Sequence, residues 1–211
     1  RYSTADIIEL ERERIELAEV EAGMLMLRRN EKDFLARNNL KYLDKFNNNH
    51  QALLDKVNTL AERLERSGID PAKAYQVGDV LTGYGNKFRE LVSIQQTIGL
   101  HSKDGLYGSL RKGVHAVEKI VKEQGDYQLL SDMLMLRRNE KDFMLRENLK
   151  YLDKFNKNIA VFEKTLNSSE FMPGAADKIR EKMSQYRADF TALVEAYQQK
   201  GLSSKEGMRG Q

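Results

Sequence analysis

Three arginines have the surroundings that anion chemistry needs. On the first helical stretch the seam Ile7, Leu10, Arg14, Leu17, Glu21, Met24 recurs at three-to-four spacing, so Arg14 stands where an apolar residue would ordinarily stand. A buried guanidinium is costly unless it is paired. A carboxylate ligand could pair it through two parallel hydrogen bonds. A bridge to Glu21 or another acid would serve equally, as would a side chain that reaches back to solvent. Further on, Arg28 flanks the seam Leu27, Glu31, Phe34, and Arg137 flanks Leu136, Glu140, Phe143. Each arginine lies three residues before a glutamate. That spacing also fits a structural pair that fixes helix register.

Four more polar residues fall on apolar seams. His50 and Gln95 could line a polar pocket, or be core residues satisfied by their neighbours. Tyr186 and Tyr197 offer hydroxyls, although aromatic packing explains them as well.

Catalytic and metal chemistry lack a constellation. The chain has no cysteine, and His50, His101 and His115 show no ligand spacing. Glu31 and Glu140 lack the histidine three residues on that a di-iron helix pair would need. Gly105, Gly108 and Gly113 follow no strand, so they make no phosphate cradle. The expectation is a chain that is not an enzyme, with no catalytic residue, no metal ligand and no cofactor. Thirty-five basic and 32 acidic residues leave a net charge of only +3, so no nucleic-acid partner is implied.

The elements that hold these residues are helices. The 211 residues include two prolines, no tryptophan and many Leu, Glu, Lys and Arg. An internal repeat organises them. Met24–Asn49 and Met133–Asn158 differ only at Leu35/Met144, Ala36/Leu145, Asn38/Glu147 and Asn48/Lys157. A fainter repeat follows, with Phe88, Leu91 and Val92 answered by Phe190, Leu193 and Val194.

Periodicity predicts six helices: from Ser3 to about Asn38, from Leu40 to Leu64, across Val77–Ile98, a long fourth from about Asp104 to Glu147, across Leu149–Leu166, and across Ile179–Tyr197. Ser67-Gly68-Ile69-Asp70-Pro71 combines a stop with a start. Short turns make neighbours antiparallel. The expected all-α fold is two stacked antiparallel four-helix bundles that share the long first and fourth helices. Residues 1–22 would begin the lower bundle, 23–125 would form the upper one and 126–211 would complete the lower. The apolar runs Ala22–Leu27 and Met133–Leu136 suit the junction.

Two copies of Arg-Arg-Asn-Glu-Lys-Asp-Phe, at Arg28–Phe34 and Arg137–Phe143, on a chain of this layout resemble the helical bimodular sensor domains of bacterial methyl-accepting chemotaxis proteins. The resemblance covers essentially the whole chain. It implies a periplasmic ligand-binding domain of an inner-membrane receptor, with the 23–125 bundle distal to the membrane. It also implies a homodimer, membrane-spanning helices outside this stretch and a small organic acid as ligand. The abrupt start and end agree with a piece of a longer receptor. Related sensor kinases imply the alternative, an input domain that recognises a periplasmic binding protein.

Overall fold

A computed structural model describes the backbone of residues 2–209 and the side chains of residues 2–201. Among them every regular element is a helix: α1 (Thr4–Arg37), α2 (Lys41–Arg66), α3 (Ala72–Ile98), α4 (Gly105–Glu123), α5 (Tyr127–Arg146), α6 (Lys150–Ser168) and α7 (Ala175–Arg209). The all-α class is therefore as expected, with one helix more than the periodicity predicts.

The extra helix comes from a break in the expected fourth one. Gly125 takes φ +67°, a conformation that costs a side chain but suits glycine. Asp126 then caps α5, accepting from Leu129 N–H at 3.0 Å and from Ser169 Oγ at 2.8 Å. Gln124 Oε1 accepts from Met172 N–H at 3.2 Å. The α6–α7 loop thus holds the break closed. The longest helices are α1 and α7, not the first and an unbroken fourth. The boundaries of α1, α2 and α6 fall close to those the sequence predicts, whereas α3 starts earlier, at Ala72, and α7 runs on to Arg209. Ser3 and Asp6 form a capping box at the start of α1, and Asp70 accepts from Ala72 N–H at 3.0 Å ahead of α3.

The chain divides into two compact units, one built from residues up to Ser93 and one from Ile94 to Leu202. Neither edge coincides with the boundaries at 22 and 125, although the latter falls on the α4–α5 break. In the first unit, α1 and α2 lie antiparallel and bury Leu27, Phe34, Phe46, Leu53 and Val57 with Leu81 and Phe88 of α3. In the second, α4–α7 enclose Val114, Val117, Leu136, Phe143, Phe155, Phe162, Tyr186 and Phe190.

The repeat gives each unit the same module. Asn38 and Glu147 both end a helix at φ 50° and donate N–H to the carbonyls of Phe34 and Phe143. Asn49 Nδ2 donates to Asn30 Oδ1 at 2.8 Å, and Asn158 Nδ2 to Asn139 Oδ1 at 2.7 Å. These buried amides lock the register of each hairpin. The junction runs are not covered on all sides, because Leu25, Met26, Leu134 and Met135 are exposed.

Candidate functional site

The inward seam of α1 does not form. Arg14 is 80% exposed and pairs with Glu11 at 3.5 Å, and Ile7, Leu10 and Leu17 are exposed beside it. The reason is the face that α1 turns to α2. Glu16 and Glu19 lie there, bridged to Arg63 and to Lys56, the latter at 2.7 Å. Helical geometry then directs Arg14 away from that seam.

His50, Gln95 and Tyr197 find their hydrogen-bond partners within their own units. His50 is buried, with Nε2 2.6 Å from the Leu81 carbonyl and Nδ1 3.3 Å from Arg89 Nη2. Its ring stacks on Phe46 at 5.5 Å. Gln95 donates to the Gly99 carbonyl at 2.9 Å, and its buried Oε1 has no partner. Tyr197 shares a close hydroxyl–hydroxyl contact with Tyr107, and burial pushes its acidity down.

Arg137 and Tyr186 do come together, through Glu140. Tyr186 donates to Glu140 Oε2 at 2.6 Å. Arg137 points instead to Glu118 of α4, at 2.8 Å. Burial raises the Glu140 pKa, against the opposing effects of the Tyr186 hydrogen bond and the Arg137 charge. In the first unit Tyr84 donates to Glu31 in the same way, while Arg28 is exposed. The expected i, i+3 arginine–glutamate pair therefore yields to a tyrosine–glutamate bond in both modules. One guanidinium between two carboxylates leaves this interior cluster short of positive charge. A carboxylate guest at Arg137 would have to displace Glu118.

Positive charge in excess lies elsewhere, in a surface groove of about 500 Å³ between α5 and α6. The α5 wall is Met135, Arg138, Asp142 and Arg146, spaced three or four apart on one face, with Asn139 beside Arg138. The α6 wall is Tyr151, Lys154, Lys157 and Asn158. The Asn139–Asn158 bond fixes the two walls in register. Among the described residues, Arg138, Arg146, Lys154 and Lys157 form no ion pair, and Asp142 is the only acid in the lining. Tyr151 is buried at the base, with the Lys150 and Lys154 ammonium groups 5.1 and 5.4 Å from its ring centroid. Four cations around one carboxylate can hold an anion by charge, with apolar contact from Met135 and Tyr151. The α1–α2 groove lacks this property. Its three cations Arg12, Lys56 and Arg63 are all ion-paired, to Glu16 and Glu19.

Periodicity missed this groove because it searches for polar residues on buried seams, and these cations are exposed. A signal did exist in the repeat. The matched block keeps the exposed Arg29/Arg138, Arg37/Arg146 and Lys45/Lys154, and only the second copy adds Lys157 where the first has Asn48, while the stretches after Asn49 and Asn158 have diverged at most positions. Core packing does not explain why exposed residues stay the same. No family model, curated protein or solved structure matches the chain.

Proposed function

We propose that this chain is the periplasmic ligand-binding domain of a transmembrane chemoreceptor of the helical bimodular kind, and that it recognises small organic acids. The observation that carries the reading is the α5–α6 groove, where four cations without ion-pair partners surround a Met135–Tyr151 base. An acid seated there would draw Arg138 and Arg146 of α5 toward Lys154 and Lys157 of α6. Closure of this kind converts ligand charge into a helix shift of about 1–2 Å, the scale of known signalling displacements. In this proposal the long helices α1 and α7 carry the shift to membrane spans outside this stretch, the two modules stack as bundles, and the receptor acts as a homodimer without enzymatic activity.

Exposed Leu134 and Leu145 favour a second reading, an input domain for a periplasmic binding protein, since apolar groups beside cations suit a protein surface. A thermal-shift screen against mono-, di- and tricarboxylates separates the two. Midpoint rises at millimolar acid that vanish in a Lys157→Asn/Arg138→Ala variant support direct sensing. A folded sample that responds to no acid removes that reading and leaves the protein partner.

A further inference from the structure

The two modules differ in chemistry where α2 meets α3 and where α6 meets α7. Ile159, Glu163, Arg180 and Arg187 of the second unit stand where the first has His50, Leu54, Gly78 and Gly85. A Cβ on Gly85 would lie 2.6 Å from the His50 ring, and one on Gly78 would lie 3.8 Å from Val57 and Asn58. The glycines thus let α2 press directly on α3. The second unit has an arginine at both glycine positions and a groove of about 290 Å³ between α6 and α7.

Buried Ile159, Leu166 and Met183 make the apolar floor of this groove. Arg180 closes one end, with Nη2 donating to Asn167 Oδ1 at 2.8 Å and Nη1 to Asp177 Oδ1 at 3.2 Å. Arg187 stands about two helical turns further along α7. Glu163 stands on the α6 wall, about one turn from Asn167. Both are exposed, and among the described residues neither side chain forms an ion pair or a hydrogen bond. A cation and an anion therefore face an apolar floor without neutralising each other. That is the complement of a small zwitterion with an apolar tail. The volume decides the size class, because it lies at the lower end of the roughly 300–1,000 Å³ typical of small-molecule sites.

We propose that the α6–α7 groove binds a free α-amino acid with an apolar side chain. Its carboxylate accepts two hydrogen bonds from the Arg187 guanidinium. Its ammonium donates to Glu163. Its side chain lies over Leu166 and Met183, and the Arg180–Asn167 bond limits its length to about one helical turn. The first unit offers no such site, since Gly85 and Leu54 carry no charge and His50 packs where the ligand would sit. The inference is independent of the acid reading, because this groove shares no lining residue with the α5–α6 groove.

The test is calorimetric titration of the whole chain with L-valine, L-leucine, L-isoleucine and L-methionine. Isocaproate and isopentylamine, which are leucine without its ammonium or its carboxylate, serve as probes of the two charges. Glu163→Gln and Arg187→Gln alter exposed side chains, so both variants should fold. At least one of the four amino acids should bind. Each leucine fragment and each variant should bind about tenfold more weakly or worse, the loss of one charge-assisted bond. The Lys157→Asn/Arg138→Ala variant should bind the amino acid as wild type does. No heat from any of the four at millimolar concentration overturns the proposal. So does an affinity that either glutamine variant leaves intact, or one that the Lys157→Asn/Arg138→Ala variant abolishes, which places the amino acid in the other groove.

Discussion

The Tyr186 hydroxyl donates to Glu140 Oε2 at 2.6 Å, so the only tyrosine among the fully buried side chains of the second unit serves a carboxylate. Removal of the donor strands a charge-bearing group. Tyr186→Phe should lower unfolding free energy by about 1–3 kcal/mol, measured by denaturant titration. A further Glu140→Leu change should restore part of the loss, because the orphaned acceptor is then gone.

The same carboxylate sets a pH dependence. Burial raises the Glu140 pKa in the folded state above its ordinary value of 4.5. The folded chain therefore holds this proton more tightly than the unfolded chain. Stability should rise as pH falls from neutrality through the folded value toward the unfolded one, and gain nothing more from this group below it. Glu140→Gln should flatten that part of the profile in melts taken across the range. An identical slope in both proteins would remove Glu140 as its source.

Gly85 should tolerate no side chain while His50 is present, given the 2.6 Å approach. Gly85→Ala should cost about 1–3 kcal/mol. Combined with His50→Ala it should cost far less than the sum of the two single changes. A double-mutant cycle measures this coupling.

Asn156 invites a gain. Its buried Oδ1 has no partner, whereas the matching Asn47 Oδ1 accepts from Arg89 Nε. The matched position in α7 holds Thr191. Thr191→Arg should supply the missing donor and stabilise the chain by about 0.5–1.5 kcal/mol, read as a higher melting midpoint.

Acid binding in the α5–α6 groove should weaken with salt, since its four cations are exposed. Calorimetric titration between about 0.01 and 1 M salt spans Debye lengths from about 30 to 3 Å. Affinity should fall steadily across that range, and Lys157→Asn should reduce the dependence. Salt-independent binding would place the ligand in a buried pocket instead.

Much of this protein was legible in the sequence. Three-to-four spacing predicted the helices, the Asp70 cap with Pro71 marked one start, and the repeat announced two equivalent modules. The Gly125–Asp126 break carried the signals of a stop and a cap, yet the apolar period runs on through it, and period alone does not register a turn that preserves phase. Sequence also named Tyr186 and His50 as polar residues on apolar seams and Arg137 as the arginine flanking one. It could not give their partners, because an i, i+3 spacing is the same whether the glutamate meets an arginine on its own helix or a tyrosine from another.

What sequence by itself determined is local: helix content, caps and a duplicated block, all set by interactions a few residues apart. Tertiary structure decided the rest. It turned Arg14 to solvent, gave Glu118 to Arg137 and joined two strings of exposed cations into one groove. Those outcomes depend on which faces of separate helices meet, and on charge that only becomes excess when no acid on a neighbouring helix lies within reach.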